Sequence, residues 1–204
     1  MLIPRQRGLT LLELMMGLTM MALLLALGVP SYTSWIRNTH NRTAAESVLN
    51  GLQMARNEAV RRNTLVRFTL TDSGGTVAWN VGCVIVTTTC PAAIQARPAT
   101  EGSNQARVGV STDAIPLPTP AGQFSTALAA GDGLASSEGD AVGVTFNGIG
   151  RVLPANVGQD FTRADITNVT SSDARRYVVL IGVGGQIRMC DPKRSFATDP
   201  QGCS

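Results

Sequence analysis

The chain has 204 residues, room for one medium domain and an appendage but not for two ordinary domains. Its 17 basic and 14 acidic side chains leave a formal charge of +3, too weak a field for a dedicated nucleic-acid binder, so a polyanion would need a local patch. Two of those basic residues, Arg5 and Arg7, precede a long apolar run, and without them the body is nearly neutral.

That run, Leu9 to Val29, is roughly 21 residues, the length of helix that spans a bilayer core. Its only charge is Glu13. A secretory signal peptide would fit the basic flank, with Ala26-Leu27-Gly28 as a cleavage site, and a plain anchor would fit the length. Neither uses the acid, which costs about 2.5–3.5 kcal/mol at the centre of a lipid-embedded helix. A third reading does. If a peptidase cuts after Gly8, Leu9 gains an α-amino group. In a stack of parallel helices Glu13 of one subunit then meets the terminal amine of the next, so the pair neutralises both charges and fixes axial register.

Beyond Pro30, Ala44, Val48, Leu52, Ala55 and Ala59 recur at helical spacing, with Ala45 and Leu49 widening the stripe. Arg37, Arg42, Arg56, Arg61 and Arg62 fall among the polar positions and read as solvated. A continuous helix from Leu9 to Arg62 would measure roughly 80 Å, with Gly28, Pro30 and Gly51 as points to break or bend it. His40, the lone histidine, reads as a surface residue of this helix.

The alternation then shifts to period two. "LVRFTL" (65–70), "VAWNV" (77–81) and "VIVTT" (84–88) read as strands, 89–106 lacks pattern, and "ARVGV" (106–110) is a short strand. Residues 111–141, rich in Pro, Gly, Ala and Ser, form a long excursion of unassigned role. "AVGVTF", Asn147-Gly148 and "IGRVLP" form a hairpin signal, "ADITNV" (164–169) follows, and "RYVVLIGV", Gly184-Gly185 and "QIRMC" form a second hairpin. The sum is an α+β fold: a long N-terminal helix, transmembrane then amphipathic, packed on an antiparallel β-sheet head. Cys83, Cys90, Cys190 and Cys203, even in number in an exported chain, favour disulfides over a metal site, with three connectivities open.

A basic leader, Gly8 and "TLLELMMGLTMMALLLALGVPSY" together resemble the class III signal sequence of the type IV pilin superfamily. The resemblance implies that a prepilin peptidase cuts after Gly8, that Leu9 becomes the N-methylated terminus where the family usually has phenylalanine, that Glu13 is the assembly acid and that Pro30 bends the helix. It divides the chain into a leader (1–8), a transmembrane and assembly half-helix (9–30), an amphipathic half-helix (31–62) and a β head (63–204). "ARNEAVRRNTLVRF", "VTFNGIGRV" and "GGQIRMCDP" resemble the FimT/FimU/GspH branch of minor pilins and minor pseudopilins. In such a head the cysteines pair as Cys83–Cys90 and Cys190–Cys203, the second pair closing the C-terminal tail.

The resemblance implies a pilus subunit that primes assembly at the fibre tip. The alternatives are a GspH-type pseudopilin of a type II secretion system and a FimT-like DNA-uptake receptor. It also implies, as partners, other minor pilins and the major pilin, the peptidase/N-methyltransferase, the inner-membrane assembly platform and a tip adhesin. The location would be the inner membrane, single-pass with a periplasmic head, and later the fibre. DNA contact rests on Arg188, Lys193 and Arg194: Gly185-Gln186-Ile187-Arg188 keeps one arginine of the branch's Gly-Arg-x-Arg pattern, so binding should be weak or absent. No catalytic constellation, cofactor motif or metal-ligand spacing is present in the sequence, so no enzyme activity, cofactor or metal is expected.

Overall fold

The structure, a computed structural model, describes residues 10–101, 104–134 and 142–203. Gly8, Leu9 and the leader lie outside the described residues, as does part of the 111–141 excursion. The chain divides into two units, Met1–Ile36 and Arg37–Ser204, and one helix, α1 (Leu11–Arg62), contributes to both.

In the first unit α1 is built largely from Leu, Met and Ala, good helix formers, and from Leu11 to Trp35 its described apolar side chains are exposed. Among the described residues this is the one helix long and apolar enough to cross a membrane. The helix passes through Gly28, Pro30 and Gly51 without a break. Membrane helices tolerate an internal proline because neighbouring groups re-satisfy the one carbonyl it leaves unpaired.

In the second unit the expected stripe is buried: Ala44, Ala45, Val48, Leu52, Ala55 and Ala59 have no exposed surface. The helix ends at Asn63, which takes a left-handed conformation (φ 48°), while Thr64 N–H donates to the Ala59 carbonyl at 3.2 Å. This is a Schellman-type stop, with asparagine in place of the usual glycine.

Among the described residues eight strands follow: β1 (Val66–Leu70), β2 (Trp79–Cys83), β3 (Gln95–Arg97), β4 (Ala106–Ser111), β5 (Gly143–Phe146), β6 (Arg163–Asn168), β7 (Tyr177–Ile181) and β8 (Ile187–Cys190). They form two antiparallel sheets, ordered β3-β2-β1-β5 and β4-β6-β7-β8. One core holds the helix stripe together with inward residues of both sheets, among them Phe68, Val81, Phe146, Val108, Ile166 and Val179. The far face of the second sheet carries Val178, Leu180 and Cys190, which pack with Phe124 and Cys203 in a smaller cluster.

Three expectations are corrected. The head has two sheets instead of one, because β5 pairs with β1 (Val66 opposite Phe146) and its hairpin return makes only a bridge, Phe146 with Val152. "VIVTT" is no strand: Cys83 is disulfide-bonded to Cys90 and the segment between them turns, leaving Val84, Ile85 and Val86 exposed. The third strand is Gln95–Arg97, from a stretch with no alternation to reveal it.

Gly51 has a packing role. A Cβ there would meet the Phe68 ring at 2.7 Å and the Trp79 ring at 3.1 Å, and both rings are held in the core, Trp79 also by donating from Nε1 to Ser47 Oγ at 2.8 Å. Gly51→Ala gains up to about 1 kcal/mol of helix propensity and loses about 1–3 kcal/mol by overpacking. A lower urea midpoint for the variant is the expected result.

Candidate functional site

At the start of α1, Thr10 caps the helix. Its Oγ1 accepts the Glu13 N–H at 3.3 Å and its carbonyl accepts the Leu14 N–H at 3.2 Å. Thr10 and Glu13 have the spacing of a capping box, a signal the sequence reading passed over. Among the described residues the Glu13 carboxylate has no hydrogen-bond or ion-pair partner, and the residue is exposed on the apolar helix. The helix N-terminus favours an anion there, so the segment presents a carboxylate that is sterically available to a cation from outside the chain.

In the head, the other candidate residues gather on the C-terminal loop. Cys190 is bonded to Cys203 (Cα–Cα 5.0 Å), and Asp191 donates its N–H to the Gln201 carbonyl at 2.7 Å, so the tail returns alongside the end of β8. Asp191 is buried and holds the loop through Arg175 (2.6 Å) and the Lys193 N–H (2.9 Å). The Asp191 carboxylate in turn raises the Arg175 pKa. Asp199 is held below the usual carboxylate range, first by the Gln201 N–H and further by Arg194.

This geometry engages two of the three cations considered for DNA. The Arg188 guanidinium lies 4.8 Å from the Phe196 ring centre and donates to the Cys203 carbonyl at 3.0 Å. Arg194 pairs with Asp199 and reaches Asp191 at 3.6 Å. Among the described residues only the Lys193 ammonium of this trio has no partner. Nor does any group of three or more His, Cys, Asp or Glu among the described residues stand where it could hold a metal ion.

Comparison with known families matches residues 44–185 to the family described as Type II transport protein GspH. The chain belongs to the GspH family. Residues 3–29 match the prokaryotic N-terminal methylation motif, which spans Gly8, Leu9 and Glu13. A GspH head behind a methylation motif is the make-up of a minor pilin or minor pseudopilin of the type IV pilin superfamily. Among solved structures the chain is similar to two crystal forms of the type IV minor pilin FimU of Pseudomonas aeruginosa. One is 18% identical, over 80% of this chain and 94% of that one, with a TM-score of 0.45. The other is 19% identical, over 80% and 99%, with a TM-score of 0.43. Comparison with curated protein sequences gives no match.

Within the GspH-matched residues the sequence reading missed the part played by Arg56. It falls among the polar positions of the helix, yet its Nε donates to the Gly150 carbonyl at 3.0 Å. Gly150 (φ 75°) and Gly185 (φ 83°) each take the left-handed region, and a Cβ on Gly185 would lie 1.9 Å from the Gly150 carbonyl oxygen. The two hairpin turns therefore touch, and the helix arginine pins them. The positive φ of the first turn falls on Gly150, not on Asn147-Gly148. Asn147 instead accepts the Ile149 and Arg151 N–H groups through Oδ1.

The GspH match ends at Gly185, so the disulfide-closed tail lies beyond it. Closing a loop of its length contributes about 3 kcal/mol in the chain-entropy view. Cys190→Ser/Cys203→Ser is therefore expected to lower the urea midpoint and open the tail to protease, with the first cut between Pro192 and Gln201. Unchanged protection would show that Asp191 and Phe196 hold the tail without the bond.

Proposed function

We propose that this chain is a minor pilin of the FimU/FimT kind, built into a type IV pilus within the tip complex that primes fibre assembly, and so supporting pilus-dependent motility or adhesion. The observation that carries the proposal is the exposed Glu13 at the capped start of a membrane-length helix, ahead of a GspH-family head. In this reading the leader is cut after Gly8, Leu9 is methylated, and Pro30 gives the helix a place to bend during packing. The subunit waits in the inner membrane as a single-pass protein with its head in the periplasm, and then moves into the fibre. Its partners are the major pilin and other minor pilins, met through the N-terminal helix, with the peptidase/methyltransferase, the assembly platform and a tip adhesin.

The family description favours one further reading, a pseudopilin of a type II secretion system. The same helix chemistry serves either fibre, and the tail beyond the family match is what inclines us to the pilus. Direct DNA contact through Arg188, Lys193 and Arg194 would be weak, because the first and last are occupied within the tail.

Pili counted on cells carrying an in-frame deletion, in a background unable to retract, test the reading. A sharp fall supports a priming subunit. Normal piliation with a loss of export would instead place the chain in the secretion apparatus, and normal piliation with a loss of transformation would point to DNA uptake.

A further inference from the structure

The chain has two tryptophans and two tyrosines. Trp79 and Tyr177 are buried in the head. Tyr32 and Trp35 are the others, and each is 62% exposed although both are large and largely apolar. They lie one helical turn apart on one face of α1, with ring centres 6.1 Å apart and planes 26° from parallel. They stand immediately after the apolar run, where Ser31, Thr33 and Ser34 begin the polar sequence. A stacked pair of amphipathic rings at the end of a membrane-length apolar helix matches the chemistry of the boundary between acyl chains and headgroups, where tyrosine and tryptophan concentrate.

We propose that Tyr32 and Trp35 anchor the helix at the headgroup–acyl boundary of the outer leaflet, and that the depth they set places Glu13 at the headgroups of the opposite leaflet. The occupant of the aromatic face is phospholipid. The inference rests on the reading that the helix spans the membrane, and it adds where along its length. The distance is set by the residue count. Between Glu13 and Tyr32 the helix rises about 29 Å at 1.5 Å per residue, close to the roughly 30 Å of a hydrocarbon core. With the rings at one boundary the carboxylate reaches the other. It stays hydrated and escapes the cost of a charge at mid-bilayer. It also stands level with the site of leader removal, where a neighbour's new amine would be formed.

The test uses the full chain in phosphatidylethanolamine/phosphatidylglycerol vesicles carrying a fluorescence quencher either at headgroup depth or at the acyl-chain end. Subtracting the Trp35→Phe emission from that of the wild type isolates Trp35 and leaves Trp79 and the core untouched. Blue-shifted emission, lost more to the headgroup-level quencher than to the chain-end one, is the expected result. Emission quenched by neither, or most by the chain-end label, overturns the anchor. Alkaline carbonate extraction of the same vesicles separates the two readings: protein released by carbonate fails the spanning reading, whereas protein retained with Trp35 unquenched fails only the anchor. For the acid, the native cysteines are all in disulfides, so Glu13→Cys supplies the sole thiol. Labelling by an impermeant maleimide on the leader side is expected, and should fall when Tyr32→Ala and Trp35→Ala are added. A thiol inert from both sides would place position 13 inside the core and overturn the depth.

Discussion

Asp165→Ala is expected to cost the head about 3–5 kcal/mol, the usual penalty for removing one partner from a buried charge cluster. Asp165 is fully buried and accepts a two-point contact from Arg163, at 2.7 Å from both Nε and Nη2, and a further contact from Arg176. Its Oδ2 also accepts the Leu128 N–H at 3.1 Å. The two arginines donate in turn to the carbonyls of Phe124, Ser125 and Thr126. One carboxylate thereby fastens part of the 111–141 excursion to β6 and seats Phe124 over the second sheet. Without it, two largely desolvated guanidiniums lose their carboxylate and the Leu128 N–H loses its acceptor. Against a total stability of about 5–15 kcal/mol for a domain, that loss should appear as a large drop in the urea midpoint of the detergent-solubilised chain. Asp165→Asn should fall between, since it keeps an acceptor but no charge. A midpoint for Asp165→Ala within error of the wild type would mean that Phe124 packs without the staple.

Local periodicity made some of this fold legible. The helix stripe Ala44–Ala59 and the alternation of "LVRFTL" each carry burial on a single face, and both faces point into the core. The pairing of β1 with β5 escaped such reasoning, because it joins strands some eighty residues apart and leaves no mark at either end. The excursion escaped for a similar reason. Its stretch 124–128 is held by Asp165, Arg163 and Arg176, which in sequence look like ordinary charges on a strand and a turn. Long-range polar contacts of this kind depend on geometry that composition does not encode.

The candidate site divides in the same way. Glu13 stood out because a lone carboxylate is conspicuous in an apolar run, and the methylation motif matches the residues around it. Thr10 was overlooked because its chemistry, a cap on one backbone N–H, is ordinary everywhere except at a helix start. Arg188 was legible as a residue to consider, but its contacts with Phe196 and Cys203 depend on how the tail folds back. Arg56 looks like a solvated helix charge in sequence because its target is a carbonyl in a distant glycine turn.

Glu13→Ala is expected to leave the leader cleaved and the head folded while the subunit disappears from sheared fibres. The loss should be at least about ten-fold, the factor that accompanies 1.4 kcal/mol. The carboxylate contributes nothing to the head, since it lies in the other unit and has no partner among the described residues. In the proposed assembly its value is to a neighbour, whose terminal amine would otherwise enter the helix bundle uncompensated. Two further variants separate this role from helix capping. Thr10→Ala removes the cap and costs the helix start about 1 kcal/mol, but it keeps the charge, so incorporation should fall only slightly. Glu13→Gln keeps size and polarity without the charge, and should behave like alanine if the ion pair sets the register. Incorporation of Glu13→Gln at the wild-type level would leave hydrogen bonding, not charge, as the reason for the acid. If Glu13→Ala itself incorporated normally, the register would have to come from the apolar helix face alone.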